Sequence, residues 1–552
     1  MGSGTPPGGR GKAVAEGIGH KLGGLRILAE AGIVRPVRPD RLAGVVRALR
    51  DWGRGPASGY ITSGLLCPDQ TAIIDELGSV SFGEIDARTD AIASALAAQG
   101  VRSGDGVGIM CRNHRGFVEA TVAAAKLGAD CLYLNTAFAG PQLTEVVARE
   151  QPAALIYDAE FAAMLDEAGA GRVCAVAWHS DSEPAGDAQT LDDLAAAGAG
   201  RQPQPPGRVG RTIILTSGTT GTPKGANRSS PQSLDPAISL LSKIPLRRGE
   251  LSCVAAPLFH SWGFAHFTLG LMLNTTLVLQ RRFDPEQTLA AVSSHRADAL
   301  VVVPVMMQRI LALPEDVRAR YDLSSLRVVA ASGSALPGDL ATEWMDAYGD
   351  NLYNLYGSTE VAWATIATPA EMRAAPGTAG TPPRGTVVRL YDEDGQPVPQ
   401  GGTGRIFVGN EFLFEGYTGG GSKDEIDGLM ATGDVGRFDA AGRLFVEGRD
   451  DEMIVSGGEN VFPKEVEDLL ARHGEVSEAA AVGVPDEEFG QRLIAFAVLE
   501  DGATADEHAL KGYVKDNLAR YKVPREIRFL DELPRNATGK VLKRRLRELV
   551  DA

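Results

Sequence analysis

LTSGTTGTPKGA, residues Leu215–Ala226, has the glycines, hydroxyls and lysine of a loop that wraps a phosphate. The commonest such loop spaces a glycine four residues from Gly-Lys-Ser/Thr, and this one does not. Lys224 follows Pro223 and precedes Gly225, so no helix begins at the lysine and no hydroxyl follows it to hold magnesium. The run RTIIL before the loop reads as a strand, and ligands gather at strand ends in open α/β sheets. Gly218 and Gly221 let backbone N–H groups approach phosphate oxygens with no Cβ between, while Thr216, Ser217, Thr219 and Thr220 add hydroxyl donors.

Outward from this loop, short apolar runs alternate with amphipathic segments. Thr71–Asp75, Val107–Cys111, Ala154–Tyr157, Thr212–Thr216, Leu277–Leu279, Leu300–Val303 and Leu326–Ala331 read as strands, with Phe82–Gln99 and Phe117–Leu127 as helices. That alternation predicts parallel sheets covered on both faces. Glycine-rich punctuation at Gln400–Gly404 and Gly419–Gly421 marks a change to short β elements. From about Asp451, helices (Pro463–Arg472, Asp506–Leu518) mix with strands (Ala479–Val484, Leu493–Leu499) in a segment long enough for a small domain. The expected fold class is α/β. A large domain over 58–450 would hold two parallel-type sheets with helices and a small β-barrel-like part. A small mobile α+β domain would cover 451–552, and 1–57 would be a tail with accessory helices. Within Arg41–Arg54, Leu42, Val45, Val46 and Leu49 recur at helical spacing among Arg41, Arg47 and Arg50. This segment is either an accessory helix packed on the main domain or a basic amphipathic helix at a membrane surface.

At 552 residues the chain exceeds one ordinary core. A hydrophobic share of 44% and a charged share of 23% are those of a globular protein. A net charge of -16 argues against nonspecific nucleic-acid binding, because a polyanion is repelled. Cys67, Cys111, Cys131, Cys174 and Cys253 are scattered without a C-x-x-C pair, so no zinc motif is present. The Gly/Pro-rich start MGSGTPPGGRGK lacks the apolar core of a signal peptide and reads as a tail. Thr268–Leu279 and Ala299–Leu313 are too short or too polar to span a bilayer, which needs about 20 apolar residues. These features point to a cytoplasmic protein with no integral membrane segment; a homodimer stays open.

Further motifs follow in a fixed order. NLYGSTE spans Asn354–Glu360, ATGD spans Ala431–Asp434, GRDDEMIVSGGENVFPKEVE spans Gly448–Glu467, and LPRNATGKVLKRRLR spans Leu533–Arg547. With LTSGTTGTPKGA, this set resembles the adenylate-forming superfamily, which includes acyl-CoA synthetases, peptide-synthetase adenylation domains and firefly-type luciferases. The resemblance covers nearly the whole chain from about residue 60. It implies that Tyr356 stacks on adenine, Thr359 contacts the α-phosphate, and Glu360, with Thr216, holds Mg2+. Asn354, Gly357 and Ser358 belong to the same nucleotide-binding stretch, as does Lys224 in the first loop. Asp434 would bind the ribose hydroxyls, Arg449 would help hold the nucleotide, and SGSAL at Ser332–Leu336 would place Gly333, Ser334 and Ala335 beside the adenine. Asp451 takes the hinge position, Ser456, Gly457, Gly458 and Glu459 line the CoA channel, and Lys540 is the mobile catalytic lysine. In PLFHSWGF, His260 and Trp262 border the acyl pocket, with Val303 and Ser332 as further lining; His260 is also a candidate catalytic group, whereas His266 reads as a core histidine.

The resemblance thus implies an AMP-forming acid–thiol ligase. It would take ATP, Mg2+, coenzyme A and a hydrophobic carboxylic acid, and would work through an acyl-AMP by domain alternation. The motifs look closest to bacterial fatty-acyl or natural-product acyl-CoA synthetases. A peptide-synthetase adenylation domain is disfavoured, because the sequence ends soon after Lys540 with no carrier domain. Two alternatives stay open: a half-enzyme that only thioesterifies a supplied acyl-adenylate, and a non-catalytic binder of acyl-adenylate or nucleotide.

Overall fold

The computed structural model describes residues 22–551 apart from 139, 166–167, 217–223, 232, 451–453, 457–458, 487–489, 519–521 and 537–538. Two sheets with parallel cores organise the larger part. One has eight strands in the order Thr365–Ala367, Leu352–Tyr356, Val328–Ala331, Ala299–Val302, Leu251–Val254, Thr276–Leu279, Thr71–Asp75, Gly78–Ser81. Its interior pairings are parallel, and only the strands at the two edges run antiparallel to their neighbours. The other has six strands in the order Val173–Trp178, Ala154–Asp158, Gly106–Met110, Asp130–Tyr133, Thr212–Thr216, Lys224–Arg228, again parallel except at the last edge.

The central strands are short runs of β-branched and small apolar residues, such as ALVV at Ala299–Val302, with every residue buried. That is the pattern of strands covered on both faces. Helix Arg115–Lys126 lies between the two sheets' cores, buried over almost its whole length. At its end Lys126, fully buried, is neutralised by Asp86 at 2.6 Å and Asp90 at 2.5 Å. Breaking such a paired buried charge is costly, so this cluster holds helix Phe82–Ala98 in register.

An antiparallel five-stranded sheet follows: Val387–Tyr391, Thr403–Gly409, Leu429–Phe438, Glu425–Ile426 and Leu444–Arg449. This is where the glycine-rich punctuation predicted short β elements. The C-terminal part has its own five-stranded sheet, built on the long pair Val476–Asp486 and Gly490–Leu499. Helices Pro463–Leu470 and Glu507–Asn517 pack a separate apolar core against it, from Ile454 and Val466 to Leu510 and Val514.

Helix Pro39–Trp52 occupies the segment where helical spacing was expected. It packs on helix Pro56–Leu66, and a Cβ at Gly44 would lie 3.1 Å from the Leu65 Cδ1 atom. Among the described residues no helix is long and apolar enough to cross a membrane. Thr268–Leu279 resolves into the end of helix Ser261–Leu273 and strand Thr276–Leu279, turned by Asn274 in the left-handed region at φ 47.

Candidate active site

Four neighbouring parallel strands of the eight-stranded sheet end on one edge, and the chain leaving each carries a predicted site residue. Leu251–Val254 leads to His260, Ala299–Val302 to Val303, Val328–Ala331 to Ser332–Ala335, and Leu352–Tyr356 to Gly357–Glu360. A parallel sheet gathers its strand ends in this way, and a cleft forms outside them. The cleft is about 1890 Å³ and is bordered by Lys224, His260, Trp262, Ser332, Gly333, Ser334, Ala335 and Asn354. Tyr356, Gly357, Ser358, Thr359, Glu360, Asp434, Arg449 and Lys540 also border it. Val303 lies beneath this surface at 1% exposure, behind Gly333, rather than on it.

At one end Tyr356 and Asp434 form a pair. The phenol donates to Asp434 Oδ2 at 2.6 Å, and Arg449 Nη1 stands 3.4 Å from Oδ1. Burial, then Asp434, holds the Tyr356 phenol well above its ordinary value, so it remains a donor. Asn354 is 7% exposed and its Oδ1 is without a hydrogen-bond partner among the described residues. A buried carbonyl oxygen left open on a cleft calls for a donor from a ligand, and an adenine amino group is one.

Glu360, 8% exposed, accepts from the Tyr417 hydroxyl at 2.7 Å through Oε1. Tyr417 arrives on a segment clamped to strand Lys224–Arg228: Asn227 N donates to Gly416 O at 3.0 Å, and Thr418 N to Gly225 O at 2.8 Å. The Lys224 ammonium sits 5.3 Å from the Tyr417 ring centroid. Arg228 donates to the Thr359 carbonyl at 2.6 Å and lies over Phe412 at 4.6 Å. Burial lowers the Arg228 pKa to about 10, so the guanidinium stays charged at neutral pH and pins the Thr359–Glu360 turn. Gly357 is required there: a Cβ would overlap the Ala362 carbonyl, and Ala362 itself sits at φ 62. Glu360, a hard carboxylate oxygen donor beside this turn, fits a divalent cation such as Mg2+.

His260 stands just before helix Ser261–Leu273 with no side-chain capping bond, and Trp262 of that helix donates to Val302 O at 3.1 Å. The approach to His260 is stapled by Asn113, which reaches from the other sheet. Its amide donates to Val254 O at 3.0 Å and Ala256 O at 2.9 Å, and its Oδ1 accepts from Leu258 N at 2.8 Å. Burial and then the Lys540 charge pull the His260 imidazole down to about 4, so it is neutral at physiological pH. His266, 7% exposed, packs edge-on against Trp262 at 4.5 Å, and burial pulls it down to about 3.

Lys540 comes from the C-terminal part. Its loop closes on itself: Asn536 N donates to Lys540 O at 2.9 Å and Asn536 Oδ1 accepts from Lys540 N at 2.9 Å. Arg535 donates to Gly539 O at 2.6 Å and pairs with Glu478 at 2.9 Å. Gly539, at φ 78, lies so close to Val305 that a Cβ would overlap it. The loop is therefore seated against the edge that carries His260, with its lysine at the cleft.

Ser217, Gly218, Thr219, Thr220, Gly221, the hinge Asp451 and the channel glycines Gly457 and Gly458 lie outside the described residues, as do the side chains of Thr216, Ser456 and Glu459. Tyr417, Arg228 and Asn113 are the contributors that the sequence motifs do not mark. Each acts by bridging segments distant in sequence, and only the Gly419–Gly421 run just after Tyr417 hinted at a special loop. Away from the cleft, Cys111, His114 and Asp158 converge in the interior. His114 Nε2 is 2.8 Å from Asp158 Oδ1, its Nδ1 accepts from Gly116 N at 3.0 Å, and Asp158 Oδ2 accepts from Arg112 N at 3.0 Å. Both ring nitrogens are engaged, so this trio caps a helix rather than offering ligands.

The chain matches an AMP-binding enzyme domain over residues 65–418 and an AMP-binding enzyme C-terminal domain over residues 465–540. A feruloyl-CoA synthase from Amycolatopsis sp is 34% identical over 501 residues, covering 90% of this chain and 99% of that protein. Among solved structures, ATP-bound MatB from Rhodopseudomonas palustris is 28% identical with a TM-score of 0.79, over 90% of this chain and 99% of that one. The o-succinylbenzoate CoA synthetase MenE from Bacillus subtilis, in complex with its acyl-adenylate intermediate, is 27% identical with a TM-score of 0.76, over 88% and 97%.

Proposed function

The chain belongs to the AMP-binding enzyme family, and from that premise we propose how its cleft carries out the ATP-dependent, AMP-forming ligation of a hydrophobic carboxylic acid to coenzyme A. The carrying observation is that Lys540, from the C-terminal part, borders the same cleft as the Tyr356–Asp434 pair and Glu360.

A carboxylate cannot be attacked usefully by a thiol, since its leaving group would be oxide. Joined to AMP as a mixed anhydride, it gains a good leaving group. That first step brings a carboxylate oxygen against the α-phosphate, two anions that repel. Lys540 offsets their charge, and the Thr359 hydroxyl and Lys224 add donors to the phosphates. Asn354 accepts from the adenine, Tyr356 forms the ring's stacking face, and Asp434, oriented by Tyr356 and Arg449, takes the ribose hydroxyls. Glu360, held by Tyr417, is the carboxylate for Mg2+, which when bound neutralises phosphate charge. The neutral His260 sits beside Lys540 at the point where the acid's carboxyl group meets the phosphate, and Trp262, Phe264, Ala265 and Leu269 continue the wall for an apolar body.

The thiol then needs the space that Lys540 occupies. Withdrawal of the C-terminal part about Asp451 would remove the lysine and bring the Ser456–Glu459 loop to the channel, so that one cleft serves both steps. Pyrophosphate release with a panel of acids and no CoA tests this reading. Release with an apolar acid, followed by thioester on adding CoA, is expected. A thioester formed only from presynthesised acyl-AMP would replace it with the half-enzyme, and no turnover in either format would leave a binder.

A further inference from the structure

The cleft does not stop at the apolar wall beside His260. It runs on as a channel along helix Ser261–Leu273, past Thr268 and Met272. From there it reaches Thr62 and Leu66 of helix Pro56–Leu66 and Leu42, Val45 and Leu49 of helix Pro39–Trp52. Leu42 and Leu49 border the channel yet are 50% and 40% exposed, so it opens to solvent at this last helix. Helix Pro39–Trp52 lies before residue 65, where the match to the family begins.

This helix has two different faces. Gly44 and Ala48, four residues apart, turn inward: Ala48 is buried, and Gly44 packs on Leu65. Leu42, Val46 and Leu49, at intervals of four and three, share an outward face, and Val46 is 59% exposed. Val34 and Leu65, exposed as well, extend this patch, one on the channel rim and the other against Gly44. Of the thirteen large apolar side chains left exposed among the described residues, seven fall within residues 22–66, less than a tenth of the chain. Ordinary surface scatters such side chains singly, so this concentration marks a docking surface.

The charge says what covers it. The chain carries a net charge of -16, yet residues 22–66 hold seven arginines against three carboxylates. Arg47 and Arg50 each follow a member of the apolar face, about 100° round the helix from it. Arg35 and Arg54 border the channel mouth. Arg38 and Arg50 pair with the neighbouring Asp40 and Asp51, whereas the exposed Arg35, Arg47 and Arg54 have no carboxylate within ion-pairing distance among the described residues. A nucleic acid offers phosphates without an apolar layer. A bilayer with anionic headgroups offers both, taking leucine and valine side chains into its acyl boundary and guanidiniums at its phosphates.

We propose that this rim docks on an anionic lipid bilayer, so that the channel mouth opens onto the membrane and an apolar acid enters the cleft from lipid rather than from water. The docking stands on the patch itself; the route for the acid rests on the ligase reading above. The sequence left two readings of this helix, packed accessory or membrane-surface element, and its two faces accommodate both.

The test is co-sedimentation of the full-length enzyme with vesicles of phosphatidylglycerol and phosphatidylcholine, or of phosphatidylcholine alone. It compares the wild type with Val46→Asp and with the double variant Arg47→Glu, Arg50→Glu, all at exposed positions outside the channel lining. The wild type is expected to bind the anionic vesicles about tenfold more tightly than the neutral ones, and less tightly as salt rises. Both variants should lose that binding by about tenfold while keeping kcat for octanoic acid dissolved in water. With hexadecanoic acid carried in the anionic vesicles, thioester formation should fall in step with binding. A wild type that ignores vesicles or binds both kinds equally would overturn the proposal, as would variants that bind like the wild type. So would a wild type that is dimeric by light scattering and that Val46→Asp makes monomeric, since a second copy would then cover the face. Thioester formation undiminished in variants that no longer bind would overturn the entry route. If neither acid is turned over, the ligase reading is at fault for these acids, and vesicle binding still decides the docking.

Discussion

The end of the cleft proposed for the nucleotide gathers polar side chains from strand ends and loops of several sheets, whereas the end proposed for the acyl group is walled by residues of three helices. At the first end each group is held by a partner: Tyr356 by Asp434, Glu360 by Tyr417, the Thr359 turn by Arg228. At the second, apolar side chains such as Leu42, Val45, Leu49 and Met272 share the lining with the hydroxyls of Thr62 and Thr268. A reaction centre must be rigid before substrate arrives, while a wall that reads molecular length needs only shape. Substitutions at the two ends should therefore differ in size and kind.

The largest effect is expected from Lys540→Ala. Removing a preorganised cation costs about 3 kcal/mol of barrier, so pyrophosphate release should fall by about a hundredfold or more. Thioester formation from presynthesised acyl-AMP should change far less, and equal loss in both assays would break the assignment. Gly357→Ala comes next. The added methyl must displace the Ala362 carbonyl, shifting the turn that carries Thr359 and Glu360. A displacement of about 1 Å at a reacting centre can cost about a hundredfold, read as kcat for adenylation with the fold intact by circular dichroism.

Tyr417→Phe tests the support of Glu360 alone. Losing a donor to a buried carboxylate should lower adenylation by about tenfold, and raising the Mg2+ concentration should recover part of it. At the acyl end, Thr268→Phe narrows the groove that the partly buried Thr268 borders. Long acids should lose about tenfold in kcat/KM while short ones are spared, a pattern no substitution at the nucleotide end would produce.

The smallest effect concerns stability, at His266. In the folded protein this imidazole stays neutral down to about pH 3, whereas the unfolded chain takes a proton below the ordinary histidine value. The unfolded state then binds more protons, so stability falls with pH across that window by about 1.4 kcal/mol per unit. His266→Gln should reduce the loss of urea resistance between about pH 7 and about pH 5 by about 2 kcal/mol. An unchanged slope would mean that the imidazole is protonated in the folded state.

The same contrast explains what the sequence made legible. Strand Ala154–Asp158 and the order of strands and helices follow from periodicity, because a strand covered on both faces has little choice but a short apolar run. Groups such as Tyr356, Asp434 and Lys540 follow from motifs, because chemistry fixes both residue type and neighbours. Arg228 and Tyr417 leave no such trace: each is useful only through a partner distant in the chain. Val303 was expected on the acyl wall, yet Gly333 stands in front of it. Helix Pro39–Trp52 was legible as an amphipathic helix, but its place along the channel emerges only once helix Pro56–Leu66 lies beside helix Ser261–Leu273.

Gly539 has a consequence for how the C-terminal part departs. At Gly539 no side chain interlocks with Val305, and the C-terminal part also reaches the larger part through Arg472, 3.5 Å from Asp339. In the proposed motion, occupancy of the seat answers to the charge of whatever lies beneath Lys540, and turnover becomes a matter of discharging that charge rather than of unfastening a latch.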